Sequence, residues 1–151
     1  MSDRYSSATR SYVMSRIRGR DTKAEMRLRR ELWARGVRGY RTHGSVPGRP
    51  DIVWSGVRVA VFVDGCFWHG CPSCRIPTPA LRRDYWGPKL RRNRMRDRLV
   101  VRELRRLGWT VVRLWEHQVL IDPGKCAERV AGVHARALLS RTAHGTLRVC
   151  P

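Results

Sequence analysis

The chain has 151 residues and a formal net charge of +20, from 32 basic and 12 acidic side chains. This length suits one domain with a sizeable core, and the sequence has neither the roughly 18-residue apolar run of a membrane helix nor the apolar segment of a secretory signal. So much like charge is typical of a domain with a polyanionic partner, so we expect a cytoplasmic, nucleic-acid-binding monomer. The basic residues are not confined to one amphipathic stretch, which argues against a membrane surface.

The first strong helical signal is "DTKAEMRLRRELWARG", preceded by a short basic helix over "SATRSYVMSRIR". Thr22 is a suitable N-cap residue, Glu25 follows at the third helical position as in a capping box, and Gly36 suits the C-terminal stop. Leu28 and Leu32 lie at helical spacing from Glu25. The sequence therefore predicts an amphipathic helix that carries one carboxylate on its apolar side.

Three short strands are predicted next. The segment "GYRTHG" predicts the first, the turn "PGRP" follows, and "DIVWSGVRVAVFVDG" predicts two strands joined by a Ser-Gly turn. Their Val and Ile content is typical of a buried sheet. Pairing about the Ser-Gly turn places Asp51 opposite residues 60–62, with the Val63 backbone and the Asp64 side chain as neighbours.

The second half of the chain predicts a helix, a strand and a helix. Pro88 suits the first turn of a long Arg-rich helix over "PKLRRNRMRDRLVVRELRRLG", "WTVVRLWEH" predicts a strand that ends at His117, and "GKCAERVAGVHARALLS" predicts the last helix. This order indicates an α/β fold with a small mixed sheet flanked by helices. We expect one domain over residues 1–151, in which 1–20 form a basic nucleic-acid-contacting segment and 141–151 a flexible tail.

Three of the five cysteines fall in "CFWHGCPSC", with the spacing C-x4-C-x2-C. In a cytoplasmic protein such a cluster is more typical of a metal site than of disulfides, and a structural zinc site needs a fourth ligand. Cys66, Cys71 and Cys74 therefore predict zinc, with reduced buried thiols as the alternative. Spacing does not decide the fourth ligand, for which the candidates are His117, His69, His43, Cys126 and His134.

Asp51 follows "PGRP" and begins a strand beside the end of another strand. A carboxylate in this position can hold Mg²⁺ for phosphodiester hydrolysis. Metal-dependent nucleases often carry an acid-x-Lys sequence on the second strand, but here that strand ends in "VDG", so a different base is needed. His69 can serve because imidazole titrates near neutral pH. Turn-capping by Asp51, zinc ligation by His69 and helix-capping by Glu25 are the structural alternatives.

Aromatic side chains lie beside these candidates. Phe67 and Trp68 stand between two cysteines, and Trp86 precedes the Arg-rich helix. Exposed rings on a metal-pinned loop are suited to stacking on bases or wedging between them. The alternative is that the rings cover the core, and Met14 in the basic N-terminal segment has the same ambiguity.

Six motifs together resemble the very short patch repair (Vsr) DNA mismatch endonuclease family. They are "ATRSYVMSRIRGRDTKAE", "PGRPDIV", "VFVDGCFWHGCPSC", "RDYWGPKL", "NRMRDR" and "LGWTVVRLWEH", which cover most of residues 8–117 in order and at family spacing. The resemblance implies a restriction-endonuclease-like fold with a structural zinc. It also implies a Mg²⁺-dependent nick on the 5′ side of the thymine in a T·G mispair in double-stranded DNA. Because such mispairs arise when 5-methylcytosine deaminates, it implies a DNA cytosine methyltransferase as functional companion.

The resemblance also implies roles for single residues. Asp51 would ligate Mg²⁺ with the Val63 carbonyl, and His69 would be the general base, oriented by Glu25. The implied zinc ligands are Cys66, Cys71, Cys74 and His117. The side chains implied to invade the DNA helix beside the mispair are Phe67, Trp68, Trp86 and Met14, and those implied to lie near the recognised bases are Lys89 and Asn93.

The chain departs from the family at Val63-Asp64, where some members carry Thr-His. In those members the histidine pairs with an aspartate that matches Asp97, near the leaving group. We therefore expect no His–Asp pair here, with Asp64 joining the metal shell or Asp97 acting through water.

Two other functions would also account for the positive charge and the aromatic side chains. One is a non-catalytic, zinc-stabilised DNA-binding module, and the other is an RNA- or ribosome-binding protein. Neither needs Asp51 or His69, so a dependence of activity on divalent metal separates them from a nuclease.

Overall fold

The computed structural model describes residues 19–78 and 83–145. The predicted basic N-terminal helix and Met14 lie outside the described residues, as do residues 146–151 of the predicted tail. Within the described ranges, every helix is too short or too polar to cross a lipid bilayer.

Helix α1 spans Lys23–Ala34 and begins as predicted. Thr22 is its N-cap: the Thr22 hydroxyl accepts a hydrogen bond from the Glu25 N–H at 3.3 Å, and the Glu25 carboxylate accepts one from the Thr22 N–H at 3.4 Å. This closes the capping box and satisfies N–H groups that a helix start leaves unpaired. Leu28 and Leu32 are fully buried, so the predicted apolar side faces the core.

Four strands form one mixed sheet in the order β1-β2-β3-β4. β1, β2 and β3 pair antiparallel, whereas β3 and β4 pair parallel. Parallel pairing requires a crossover, which the long helix between β3 and β4 provides. The strands are Arg41–Thr42, Ile52–Trp54, Val59–Asp64 and Thr110–Trp115.

The hairpin of β2 and β3 has the predicted register. A single 3-10 turn at Ser55–Val57 and a left-handed residue, Arg58, connect the two strands. The Asp51 N–H donates to the Val61 carbonyl at 2.9 Å, so Asp51, just before β2, lies opposite the predicted segment 60–62. The hairpin thus places a carboxylate beside the last residues of β3.

Within the described residues, four helices follow β3, and their limits differ in part from the predicted ones. They are α2 (Cys66–His69), α3 (Arg83–Arg106), α4 (Glu116–Ile121) and α5 (Pro123–Gly145). His117 lies in α4, just after β4 rather than at its end, and α5 continues past Ser140 into the segment assigned to the tail.

Pro88 lies inside α3, as its sixth residue, and not in the first turn. A proline there removes one helix hydrogen bond, which favours a later start. Contacts outside the helix hold the extra turn: the Trp86 ring packs on Phe67 and Trp68, with centroids 5.4 and 5.7 Å apart. Tertiary packing therefore overrides the local signal from proline.

The two faces of the sheet have different environments because successive side chains alternate. Val61, Val112 and Leu114 pack with α1, α4 and α5 in the hydrophobic core. The opposite face carries Phe62 and Arg113 towards α3, which packs on β4. The predicted α/β class, a small mixed sheet flanked by helices, is confirmed, and the second face leaves room for a site.

Candidate active site

A cleft of about 730 Å³ opens between the start of α1, the end of β3, α2 and α3. The predicted catalytic residues all line it, although they come from separate parts of the chain. They are Glu25, Asp51, Asp64, His69 and Asp97. Three of the residues implied to contact DNA line the same cleft, namely Trp68, Lys89 and Asn93.

Asp51 lies at the start of the β2–β3 hairpin and lines the cleft. Its Oδ2 accepts a hydrogen bond from the Val63 N–H at 2.7 Å, so Oδ1 can serve as a metal ligand. Burial raises the pKa of Asp51 to about 6; the Val63 N–H opposes the rise, and the nearby charges of Glu25 and Asp64 add to it. A divalent cation would relieve this crowding of carboxylates, and hard oxygen ligands suit Mg²⁺. The residues present therefore fit a magnesium ion.

His69 pairs with Asp97. This corrects the expectation that no His–Asp pair forms and the alternative that Asp97 acts through water. The His69 Nδ1 lies 2.6 Å from Asp97 Oδ2, so a His–Asp pair does form, with a different histidine from that of the family. An ionised carboxylate only accepts, so Nδ1 must donate and Nε2 is left as the basic nitrogen of the neutral ring. Burial raises the pKa of Asp97, but the hydrogen bond and charge of His69 and the charge of Arg113 outweigh it and hold that pKa below its ordinary value.

Glu25 was expected to orient His69, but its hydrogen bonds go to the start of α1. Its Oε1 accepts from the Thr22 hydroxyl at 2.9 Å, and its Oε2 accepts from the Asp21 N–H at 3.0 Å and from Arg29 at 3.2 Å. The unpaired donors of a helix start are only three residues away and capture the carboxylate. Glu25 therefore affects the site through its charge, which helps to raise the pKa of Asp51.

Asp64 is held by Arg113, a residue that the sequence analysis missed. The Arg113 Nε and Nη2 donate to the two Asp64 oxygens at 2.6 Å each, and Nη2 also lies 3.2 Å from Asp97 Oδ2. Because both oxygens of the buried Asp64 bind a guanidinium, this geometry gives no support to its expected place in the metal shell. A signal for Arg113 was present: in "TVVRLW" it alternates with Val112 and Leu114, so it had to face away from the core.

The three clustered cysteines and one histidine form a separate group. The His117 Nδ1 lies 3.2, 3.6 and 3.3 Å from the Sγ atoms of Cys66, Cys71 and Cys74. Ligands at about 2.3 Å (sulfur) and about 2.0 Å (nitrogen) from a tetrahedral zinc are roughly 3.5 Å apart, so the group fits zinc. Three thiolates and an imidazole suit Zn²⁺ and not Mg²⁺. The other candidate ligands lie elsewhere: His69, His43, Cys126 and His134.

The predicted rings form one cluster at the mouth of the cleft. Phe67 and Trp68 have centroids 5.1 Å apart, and both contact Trp86. The rings are half-buried, so they remain partly accessible and do not belong to the core. Lys89 lies over them, 5.6 Å from the Trp68 centroid, and the Asn93 side chain donates to the Trp68 carbonyl at 3.3 Å.

Comparison with known proteins identifies the family. The family model for DNA mismatch endonuclease Vsr matches residues 2–75. The chain is 40% identical to DNA mismatch endonuclease Vsr of Escherichia coli K12 over 116 residues, which are 77% of this chain and 74% of that protein. The chain belongs to the Vsr family.

Other Vsr-like relatives are named as nicking enzymes. The chain is 45% identical over 120 residues to Type II nicking enzyme V.NaeI of Lentzea aerocolonigenes, covering 76% of this chain and 72% of that protein. It is 40% identical over 135 residues to Type II nicking enzyme V.XorIIP of Xanthomonas oryzae pv. oryzae, covering 88% and 97%. The predicted resemblance and the predicted DNA-nicking endonuclease are therefore confirmed, and Vsr membership makes DNA the binding partner.

Proposed function

We propose that this Vsr-family enzyme uses Mg²⁺ to nick DNA on the 5′ side of the thymine in a T·G mispair, as in very short patch repair. One observation carries the proposal: the Asp51 carboxylate and the His69–Asp97 pair line one cleft beside a cluster of half-buried rings. A non-catalytic binding module would need the rings and the positive charge but not this pair of a metal-type carboxylate and an oriented base.

Each side chain has a role in the reaction. Asp51, with the Val63 carbonyl, would hold Mg²⁺, which when bound supplies positive charge to the phosphodiester and polarises water. The His69 Nε2 takes a proton from the water that attacks phosphorus. Asp97 keeps the other ring proton on Nδ1 and stabilises the imidazolium that forms, as carboxylates do for catalytic histidines in other hydrolases.

The cysteine group would hold a structural Zn²⁺ through Cys66, Cys71, Cys74 and His117. Its role is to order the segment that carries both His69 and the rings. Because His69 lies between two of the ligands in sequence, loss of the ion would release the base from Asp97.

The ring cluster supplies a physical basis for mispair recognition. Phe67, Trp68 and Trp86, together with Met14 from the N-terminal segment, would wedge into the base stack, with Lys89 and Asn93 near the exposed base edges. Separating a base step costs a few kcal/mol and costs less at a mispair, so the wedge favours T·G over a paired site. Such mispairs follow deamination of 5-methylcytosine, which makes a cytosine methyltransferase the functional companion of a cytoplasmic, monomeric enzyme.

A panel of duplexes tests the proposal. Three duplexes of one sequence carry T·G, T·A or C·G at the central position, and strand cleavage is mapped on a denaturing gel with and without Mg²⁺. We expect a nick only in the T·G duplex, only in the thymine strand, at its 5′ side, and only with Mg²⁺. Equal cleavage of T·A and T·G would contradict mispair specificity, and nicking without a divalent ion would contradict the role of Asp51.

A further inference from the structure

We infer that Arg113 is a positioning residue for nicking: by binding Asp64 on both oxygens and touching Asp97, it leaves Asp97 as the partner of His69. This inference rests on the proposed function, because it concerns the base of the same cleft. Arg113 has no part in the implied family mechanism, and it acts on the substrate only through other side chains.

The strand pairing explains why Arg113 reaches the cleft. Residue 113 lies opposite Phe62 in the parallel ladder of β3 and β4, and side chains of paired residues share a face. The guanidinium lies 5.8 Å from the Phe62 ring centroid, on the face that α3 covers. From this position one side chain reaches Asp64 at the end of β3 and Asp97 on α3.

Two carboxylates compete for one nitrogen of His69. The Nδ1 lies 2.6 Å from Asp97 Oδ2 but also 3.7 Å from Asp64 Oδ1. Asp64 Oδ1 accepts a hydrogen bond from Arg113 at 2.6 Å, so the guanidinium holds this oxygen towards β4 and away from the His69 ring. The same Nη2 lies 3.2 Å from Asp97 Oδ2, which thus has two donors.

Loss of the guanidinium would therefore change the geometry of the base. Asp64 and Asp97 are both largely buried, with side chains 6% and 15% exposed. Without Arg113, each carboxylate would need a hydrogen bond from another donor. The His69 Nδ1 lies within 3.7 Å of both carboxylates, so the ring would be shared between two orientations and its Nε2 would no longer be fixed. Lysine cannot replace the planar fork, because an ammonium does not bind two carboxylates in a fixed plane.

The experiment compares full-length Arg113→Met and Arg113→Lys with Arg136→Met, which removes the same charge from an exposed position on α5. Single-turnover nicking of the T·G duplex with enzyme in excess isolates the chemical step, and DNA affinity and melting temperature are measured in parallel. We expect Arg113→Met to slow nicking by about 10- to 100-fold, part of the 10²–10⁴-fold that a general base contributes. Arg113→Lys should recover only part of the rate, and the affinities of all variants should stay close to that of Arg136→Met.

The imidazole NMR signal of His69 separates positioning from folding. The downfield Nδ1–H proton of the wild type should vanish in Asp97→Asn, which assigns it, and should shift in Arg113→Met and Arg113→Lys. A rate for both Arg113 variants equal to that of Arg136→Met, or an unchanged Nδ1–H signal in them, would overturn the inference. If the wild type fails to nick T·G DNA, the proposed function fails, but the NMR comparison still decides whether Arg113 positions His69.

Discussion

Removal of zinc should silence nicking while the sheet core stays folded. The segment Cys66–Cys74 has nine residues, and fixing their backbone costs about 1–2 kcal/mol each, or roughly 9–18 kcal/mol. The buried members of this segment are Cys66 and Cys71, two of the proposed ligands, while Phe67 and Trp68 are only half-buried, so apolar burial offsets only part of this cost. A structural zinc contributes about 10–16 kcal/mol, which is of the same size. If the group holds zinc as proposed, the metal should decide whether the segment is ordered.

The hydrophobic core should stay folded without zinc, because its members lie outside the cysteine segment. Its members come from α1, the sheet, α4 and α5, and α2 is not among them. Loss of zinc should therefore release His69 and the rings without removing core contacts, and α2 contributes only four helical residues to circular dichroism.

The assay titrates the protein with a zinc-selective chelator while Mg²⁺ is kept in excess. Zinc release, nicking of the T·G duplex and helical circular dichroism are followed together. We expect nicking to fall in step with zinc release, with most of the helical signal retained. Cys126→Ala, which removes a buried thiol outside the cysteine group, should behave as the wild type. Nicking that survives zinc loss, or unfolding of the whole domain in step with zinc loss, would refute this reasoning.

Three further predictions concern other parts of the site. Thr22→Ala removes the N-cap acceptor and should cost about 1 kcal/mol, seen as a melting temperature about 2–4 °C lower that Thr22→Ser restores. Because burial raises the pKa of Asp51 to about 6, the carboxyl is protonated below that pH and protons compete with Mg²⁺. The Mg²⁺ concentration for half-maximal nicking should therefore rise as pH falls below about 6, and a constant requirement would contradict this. Gly48→Ala places a Cβ 2.3 Å from a Val100 methyl at φ +79°, whereas Gly36→Ala, at φ +72°, meets open space. In urea unfolding, Gly36→Ala should lower the free energy of unfolding by the roughly 1–2 kcal/mol that a left-handed backbone costs, and Gly48→Ala should lower it by more. Equal decreases would show that the loop around Gly48 moves to make room for the added methyl group.

Features set by neighbouring residues were predictable from the sequence. The capping box of Thr22 and Glu25 depends on groups three residues apart, and the position of Asp51 depends on one hairpin turn. The clustered cysteines predicted a metal site through their spacing alone. In each case the interaction that forms the feature is local, so its signal lies in a short stretch.

Features set by distant contacts were not predictable in the same way. The start of α3 depends on rings from two segments, and the fourth member of the cysteine group, His117, comes from α4, 51 residues after Cys66. The pairing of His69 with Asp97 depends on contacts among distant elements, where Arg113 of β4 contacts both Asp64 and Asp97. The position of Arg113 between these carboxylates is set by the parallel pairing of β3 and β4, which no local pattern specifies.

Parallel measurement of nicking and DNA binding by Asp51→Asn tests the central claim most directly. The amide keeps an oxygen that can accept from the Val63 N–H, so the hairpin should hold while the negative charge is lost. We expect T·G nicking to fall by at least about a hundredfold, the scale of one lost preorganised charge interaction. Binding should stay at least as tight, because a negative charge near phosphate is removed, and Glu128→Gln on α5 should retain full activity. Normal Mg²⁺-dependent nicking by Asp51→Asn would contradict the assignment of this cleft as the active site.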